Sequence, residues 1–297
     1  MLEINLCGKT LKTPLILGSG TLGENKENLI KALKYGAGAV VTRSLRLQTG
    51  KRKVFRPAYY IEKDYMLNAD NQNLTPWDYW LDKAEEIEKY GRFIISLSVR
   101  NPEDCKTIIS AFEKKYPPSF YEFNFSCPHS AKLYGEISYK EAEKALKIAK
   151  RLTNQPLFLK LSLGTINIER LKFFEAKKLV DALVVSNSIG PGMRIDIKTR
   201  KPFLESAVGG MSGKAIKPLI LGAIYELKQY LKTPIIGVGG IESAEDVLEY
   251  VILGCAAVQI YTAAHVQGLQ TFNKVNKDLK RIIKGRKIED FKNTLKL

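Results

Sequence analysis

The sequence is poor in metal-binding side chains. It has two histidines, His129 and His265, and four cysteines, none of them in a C-x-x-C pair. This scarcity excludes a zinc ribbon and an iron–sulfur cluster held within the chain at the usual cysteine spacing. The cysteine spacing does not indicate a disulfide framework either, and we expect no bound metal ion.

Long apolar runs are also missing, since no segment approaches the roughly 20 residues that a membrane helix needs. The first residues lack a basic stretch followed by an apolar run, so we expect a cytoplasmic protein without membrane contact. Acidic residues are few: 31 Asp and Glu stand against 47 Lys and Arg, a formal net charge of +16. The lysines are spread over helical patterns, which favours a solvated surface over nucleic-acid binding.

Apolar runs typical of buried strands alternate with helical patterns along the chain. Strands are predicted at 14–18, 38–42, 92–97, 119–124, 156–161, 182–186, 234–238 and 256–261. Helices are predicted at 28–34, 76–90, 102–115, 139–152, 168–178, 214–231, 244–253 and 266–283, with a short one from Ile288. Eight βα units predict an α/β fold, a (β/α)8 TIM barrel in one domain over residues 1–297. We also expect an N-terminal β-hairpin within residues 2–17 and long βα loops over the C-terminal rim, such as residues 46–75.

Cys127 follows the predicted strand 119–124, so it is expected on a loop at the C-terminal end of the barrel, where such folds place their chemistry. A thiol there can act as a nucleophile or, as thiolate, as a general base. A small buried residue in a βα turn is the other interpretation. The neighbours Asn124, Ser126 and Pro128 favour a functional role only together with other residues.

Lys160 is a lone cation inside an apolar strand, and a buried charge needs an opposite charge or an electron-rich ligand. Next to a flavin it would stabilise the negative charge that develops on reduction. The alternative is a lysine paired with a neighbouring carboxylate. The turns after the last two strands, with Gly239-Gly240 and Tyr261-Thr262, suit a phosphate. The glycine-rich turn at 18–20 can approach a ligand or can be a simple tight turn.

Together these residues resemble the dihydroorotate dehydrogenase family, in its soluble, cysteine-dependent branch, over nearly the whole chain. The most specific matches are N-x-S-C-P at 124–128, Asn187-Ser188, and the segments 196–202, 209–213, 215–218 and 234–240. Residues 196–218 most resemble the subclass whose catalytic chain works with an iron–sulfur flavoprotein subunit. Cys-Pro-His at 127–129 instead resembles the pyrimidine-reducing domain of dihydropyrimidine dehydrogenase.

The resemblance implies FMN as cofactor and the oxidation of dihydroorotate to orotate in pyrimidine biosynthesis. It also implies a homodimer and an iron–sulfur flavoprotein subunit as electron-transfer partner. Cys127 would remove a proton from C5 while hydride passes from C6 to flavin N5, with Lys160 as a second catalytic residue. The residues implied in FMN binding are Gly18, Ser19, Arg43, Ser44, Asn124, Lys160, Ser186, Ser212, Gly213, Gly239, Gly240, Tyr261 and Thr262. Those implied in substrate binding are Asn68, Asn124, His129, Asn187 and Ser188.

Three positions depart from the family pattern. Arg43 stands where lysine is usual, and arginine cannot deprotonate. Asp70 lies in the substrate loop and would repel a substrate carboxylate if it points inward. His129 replaces an asparagine and titrates near neutrality. Two further interpretations therefore stay open: an FMN-dependent reductase of uncharged pyrimidines such as uracil or thymine, and a non-catalytic flavin-binding accessory protein.

Overall fold

The computed structural model describes residues 1–47, 55–69, 75–98, 101–125 and 139–296, most of them in short strands and the helices that connect them. The strands in chain order are β1 (Ile4–Leu6), β2 (Lys9–Leu11), β3 (Leu15–Leu17), β4 (Ala39–Val41), β5 (Tyr59–Ile61), β6 (Met66–Asn68), β7 (Arg92–Ser98), β8 (Phe120–Asn124), β9 (Leu157–Leu161), β10 (Ala182–Val185), β11 (Ile189–Gly192), β12 (Ile195–Asp196), β13 (Lys201–Pro202), β14 (Gly209–Ser212), β15 (Ile235–Val238) and β16 (Ala257–Ile260).

Eight of these strands, all parallel, form a closed barrel in the order β3-β4-β7-β8-β9-β10-β15-β16. The ring closes where Val258 pairs with Leu15 and Ile260 with Leu17. Barrel strands such as β10 are buried along their whole length, because one face lies in the lumen and the other under the helices. The predicted (β/α)8 barrel is confirmed.

Helices cover the outside of the barrel. The α-helices of the described residues are α1 (Lys26–Lys34), α2 (Ala84–Glu88), α3 (Pro102–Lys115), α4 (Tyr139–Leu152), α5 (Ile168–Ala176), α6 (Lys217–Tyr230), α7 (Ala244–Ile252), α8 (Thr262–Gln267) and α9 (Thr271–Ile283). Short 3-10 turns lie at Thr21–Glu24, Trp77–Asp82, Leu163–Thr165, Lys214–Ile216 and Ile288–Phe291. None of the helices in the described ranges combines the length and the apolar character needed to cross a membrane.

Three predicted helices differ from the structure, and one of them, at 214–231, begins as a 3-10 turn at Lys214–Ile216 before α6. Residues 76–90 form a 3-10 turn followed by α2, because Trp80 is fully buried with its ring centroid 5.9 Å from that of Phe93, so tertiary packing sets the local backbone. The helix predicted at 266–283 begins earlier, at Thr262, and is interrupted at Gly268. Gly268 has a φ of +92°, a conformation that ends a helix and favours glycine.

The predicted N-terminal hairpin consists of the antiparallel strands β1 and β2. Leu6 and Leu11 are fully buried, and the Cys7 thiol donates to the Asp181 carbonyl oxygen at 3.4 Å. Asp181 directly precedes β10, so the hairpin covers the N-terminal end of the barrel. The chemistry is therefore left to the opposite end, as the fold class predicts.

The long loops over the C-terminal rim contain a four-stranded antiparallel sheet that the sequence pattern did not predict. Its strand order is β11-β14-β6-β5. Strands β5 and β6 belong to the loop region after β4, and β11 and β14 belong to the loop region after β10, so the sheet joins these two regions. Leu67, Ala69 and Leu204 form a small separate core there. These strands have three or four residues each, too few to show the alternation of a half-buried strand. The sheet places Asn68 and Ser212 at the rim of the barrel.

Candidate active site

A cleft at the C-terminal ends of the barrel strands brings the predicted site residues together. The predicted residues that line it are Gly18, Ser19, Arg43, Ser44, Asn68, Asn124, Lys160, Ser186, Asn187, Ser188, Ser212, Gly213, Gly239, Gly240, Tyr261 and Thr262. Cys127, His129 and Asp70 lie outside the described residues.

The floor of the cleft is a buried cluster of Lys160, Glu122 and Gln259, which we call the lumen triad. Lys160 Nζ lies 3.4 Å from Glu122 Oε1 and donates to Gln259 Oε1 at 3.0 Å. Gln259 Nε2 donates to Glu122 Oε2 at 2.5 Å. Glu122 is 0% exposed, Gln259 1% and Lys160 5%, so water screens these interactions weakly. Because β8 and β16 stand four places apart in the eight-stranded ring, the contact between Glu122 and Gln259 crosses the barrel lumen.

Lys160 therefore has a carboxylate partner, as the alternative interpretation expects, and it also lines the cleft, while its contact with a flavin stays a prediction. The sequence pattern did not single out Glu122 or Gln259. Each is a polar residue inside an apolar strand, the same signal that drew attention to Lys160. That signal could have identified all three residues of the lumen triad in the sequence. Only the barrel structure shows that they contact each other.

A row of hydroxyl and amide groups lies beside Lys160. Asn124 and Lys160 are paired residues of the neighbouring strands β8 and β9. Asn124 Nδ2 donates to Ser44 Oγ at 3.0 Å, and Asn187 Nδ2 donates to Asn124 Oδ1 at 3.2 Å. Ser44 Oγ also lies 2.9 Å from Ser96 Oγ, which is buried beneath it. The row offers donors and acceptors without net charge, which matches the alternating N–H and C=O groups of a pyrimidine edge.

Local hydrogen bonds hold the remaining predicted polar residues in place. Ser186 Oγ donates to the Asn187 carbonyl oxygen at 2.8 Å, and the Ser188 N–H donates to Asn187 Oδ1 at 2.9 Å. The four-stranded sheet β11-β14-β6-β5 is called the rim sheet below. Asn68, on its strand β6, donates from Nδ2 to the Gly210 carbonyl oxygen at 3.1 Å. Each side chain thus enters the cleft from a fixed backbone.

Three glycines form a cradle of backbone donors in the cleft. Gly213 and Gly240 have φ values of +97° and +65°, and a Cβ on Gly240 would lie 3.0 Å from the Gly213 carbonyl oxygen. The N–H groups of Gly213, Gly239 and Gly240 donate no hydrogen bond within the described part of the chain. Thr262 Oγ1 donates to Ser212 Oγ at 2.9 Å and joins a second loop to the cradle. Converging backbone donors without partners fit an anion, so the residues present fit the phosphate of FMN.

The turn after β16 contributes a side chain as well as backbone. Tyr261 Oη accepts a hydrogen bond from the Thr21 N–H at 3.0 Å, and a Cβ on Gly20 would lie 2.1 Å from the Tyr261 ring. The glycine-rich turn at 18–20 is therefore shaped around this ring. His265 lies within α8, and its ring centroid is 5.6 Å from that of Tyr261 and 5.1 Å from that of Tyr59.

Two arginines add positive charge to the cleft. Arg43 forms an ion pair with Glu24, so its guanidinium already engages one carboxylate. Arg46 also lines the cleft, and the sequence pattern did not single it out. Leu45 is 1% exposed, whereas its neighbours Ser44 and Arg46 both line the cleft. With Lys160, these cations favour a ligand that carries negative charge.

Glu242 opposes this charge near the glycine cradle. Burial raises the pKa of its carboxyl, Asp246 raises it further, and Lys214 acts in the opposite direction. The side chain lines the cleft, so it repels a bound phosphate once it ionises. A glutamate after a glycine turn looks like a surface residue in the sequence, and only the structure reveals its position.

The three described cysteines are poorly suited to proton transfer at neutral pH. Burial raises the pKa of Cys7, Cys105 and Cys255 to about 12 each. None of these three lines the cleft. Their thiolate fraction at pH 7 is on the order of 10⁻⁵, which leaves Cys127 as the candidate base.

Comparisons with known proteins agree over nearly the whole chain. A family model described as dihydroorotate dehydrogenase matches residues 1–283. The catalytic subunit of dihydroorotate dehydrogenase B (NAD⁺) from Pyrococcus abyssi is 32% identical over 288 residues, 96% of this chain and 94% of the relative. The subunit of the same name from Thermococcus kodakarensis is 33% identical over 287 residues, 95% and 93% of the two chains. The one from Archaeoglobus fulgidus is 35% identical over 272 residues, 89% and 88%.

We predict that iodoacetamide at pH 7 leaves Cys7, Cys105 and Cys255 of the native protein unmodified, because their raised pKa values keep them as thiols. Cys127, the candidate base, should react at least about tenfold faster. Peptide mass spectrometry over a time course measures each rate, and denatured protein, in which all four cysteines react, is the control. Equal rates at Cys127 and Cys105 would contradict the assignment.

Proposed function

The chain belongs to the dihydroorotate dehydrogenase family, and from that premise we propose that it oxidises dihydroorotate to orotate in pyrimidine biosynthesis, with FMN as cofactor. It is thus an oxidoreductase that acts on a CH–CH bond. The observation that carries the proposal is the hydrogen-bonded amide pair of Asn124 and Asn187 beside Lys160 in one cleft. That arrangement combines a surface for a pyrimidine edge with a fixed positive charge.

We infer that residues 1–297 form a single domain. One FMN would lie across the cleft of this domain. Gly213, Gly239, Gly240, Ser212 and Thr262 would hold its phosphate through the unpaired N–H groups and the two hydroxyls. The ring would contact the remaining predicted residues, Gly18, Ser19, Arg43, Ser44, Asn124, Lys160, Ser186 and Tyr261. Bound FMN supplies the acceptor for the hydride that leaves C6 of the substrate.

The substrate would contact Asn68, Asn124, Asn187 and Ser188, together with His129 from the segment outside the described residues. Their amides and hydroxyl match a neutral pyrimidine edge and do not distinguish dihydroorotate from dihydrouracil. The distinguishing group is the substrate carboxylate. Arg46 lines the cleft, as Ser44 does, and supplies a positive charge for it. This charge favours dihydroorotate over the uncharged dihydropyrimidines.

Proton abstraction from C5 falls to Cys127. The other three thiols are buried with a pKa of about 12, so they carry almost no thiolate at neutral pH. Lys160 contributes positive charge at the floor of the cleft, where charge develops during the reaction. His129, two residues after Cys127 in the sequence, would tune the thiol.

The electrons must leave through another carrier. The relatives are named catalytic subunits, which implies at least one further subunit in those proteins. We infer an iron–sulfur flavoprotein partner for this chain, on a homodimer of catalytic chains. The cytoplasmic location stays a prediction.

We predict that dihydroorotate bleaches the bound FMN of the purified chain under anaerobic conditions and that dihydrouracil does not. The half-reaction needs no partner subunit, so stopped-flow absorbance measures it directly. Cys127→Ala should keep its FMN and slow the bleaching by about 10²- to 10⁴-fold, the usual contribution of a general base. Cys7→Ser, at the opposite end of the barrel, is the matched control and should react like the wild type.

Bleaching by dihydrouracil alone would instead support reduction of uncharged pyrimidines, with Cys127 as general acid. Bound FMN that neither compound reduces would support a non-catalytic flavin protein. Unchanged bleaching by Cys127→Ala would remove this residue from the mechanism.

We predict that Arg46→Gln weakens orotate binding by about tenfold or more, because a charge-assisted hydrogen bond to the carboxylate is lost. Uracil binding should not change, since uracil has no carboxylate. The perturbation of the flavin spectrum measures both dissociation constants. Arg281→Gln, an exposed arginine on α9, is the control. Equal losses for orotate and uracil would show that Arg46 does not recognise the carboxylate.

We predict that Glu242→Gln tightens FMN binding to the apoprotein by about three- to tenfold at pH 8, because it removes a carboxylate near the phosphate. The affinity of the wild type should fall, relative to the variant, as the pH rises through the raised pKa of Glu242, since the carboxyl ionises above that value. Fluorescence quenching of FMN measures both. Glu245→Gln, an exposed position at the start of α7, is the control. A constant ratio of affinities across pH would contradict the placement of Glu242.

A further inference from the structure

Lys160 has more donors than the barrel uses. An ammonium group carries three N–H bonds. One donates to Gln259 Oε1 at 3.0 Å, and at most one more is directed at Glu122 Oε1, which lies 3.4 Å from Nζ in an ion pair without a hydrogen bond. The third has no acceptor among the described residues, although Lys160 lines the cleft. The lumen triad therefore leaves one donor for a ligand that lies on the cleft floor.

The triad also gives Lys160 a counter-charge. A buried lysine without a counter-charge tends to lose its proton. Glu122, with no exposed surface, supplies the opposite charge. Other charged or titratable groups that line the cleft are Arg43, Arg46, Glu242, Tyr59 and Tyr261. Within the described residues, Glu122 is the carboxylate that contacts the Lys160 ammonium group.

Gln259 fixes the geometry of the pair. Its carbonyl oxygen accepts from Lys160 and its amide N–H donates to Glu122, so both ends of the amide are engaged. Gly18 lies directly above, since a Cβ there would stand 3.4 Å from Gln259 Oε1. The amide is thus confined between the lumen and the first turn of the cleft, and Lys160 cannot move without breaking a buried hydrogen bond.

We propose that Glu122 and Gln259 are positioning residues that hold Lys160 as an ammonium group at the cleft floor, with one N–H left for the bound flavin, and so make that flavin easier to reduce. This inference rests on the proposed function only in that FMN binds in this cleft. A positive charge near the flavin stabilises the negative charge gained on reduction. Loss of that charge disfavours the reduced form.

Glu122→Gln tests whether the carboxylate keeps Lys160 charged, because the direction of the change in the reduction potential of FMN depends on it. When Glu122 keeps Lys160 charged, the variant loses the lysine proton, and reduction of FMN becomes about tenfold less favourable at pH 8. That change equals a reduction potential about 30 mV lower for a two-electron couple. The potential should recover as the pH falls and Lys160 regains its proton. If Lys160 stays charged in the variant, the loss of the Glu122 negative charge raises the reduction potential of FMN instead.

The potential of the bound FMN is measured by equilibration with redox dyes, with dithionite as reductant. Gln259→Leu, of similar size, should also lower the potential, because Lys160 loses its acceptor, and Lys160→Met should lower it most. Thr271→Val, a buried hydroxyl outside the cleft, is the control and should match the wild type. A raised or unchanged potential in Glu122→Gln, or an unchanged potential in Gln259→Leu, overturns the proposal.

A second measurement needs no flavin. Methyl acetimidate labels neutral amines, so Lys160 in the apoprotein of Glu122→Gln should be labelled at least about tenfold faster at pH 8 than in the wild type. Peptide mass spectrometry reports the rate, and equal rates overturn the proposal. Neither readout uses dihydroorotate. A wild-type chain whose FMN dihydroorotate fails to bleach would therefore contradict the proposed function alone.

Discussion

The contact across the barrel lumen between Lys160, Glu122 and Gln259 is the constraint on which the rest of the site depends. Inward-facing polar groups in a barrel have no water to satisfy them, so they must satisfy each other. Removal of Glu122 or Lys160 would take away the counter-charge of the other, at a cost of about 3–5 kcal/mol. The triad thereby fixes the floor of the cleft, and the register of β8 and β9 then places Asn124 beside Lys160.

The walls of the cleft follow from that floor and from the rim sheet. Asn124 bridges Ser44 and Asn187, which stand at the ends of different barrel strands. The rim sheet brings Asn68 and Ser212 to the same opening, and Ser212 meets Thr262 from the last βα unit. An amide surface, a fixed cation and an anion cradle thus meet in one cleft, which is the combination that a flavin enzyme acting on a pyrimidine needs.

The barrel strands, most helices and many cleft residues could be predicted from the sequence. The contacts across the lumen and the rim sheet could not, for physical reasons. Buried parallel strands are continuous apolar runs, so the barrel strands and helices such as α3 could be predicted closely. Lys160 stood out as a cation in such a run, whereas its contact with Gln259 joins residues 99 positions apart and exists only in the closed barrel. The rim sheet was missed because strands such as β6 are too short to show a period. The break at Gly268 and the role of the Tyr261 ring depend on tertiary packing.

We propose that the lumen triad presents a charged lysine to a flavin bound in the cleft. A crystal structure of the chain with FMN and orotate tests it most directly. We expect Lys160 Nζ to lie within hydrogen-bond distance, about 3 Å, of N1 or O2 of the flavin ring. The contact between Glu122 and Gln259 should be intact in the same structure. A flavin ring more than about 5 Å from Lys160 Nζ, with the lysine directed only at Glu122, would contradict it.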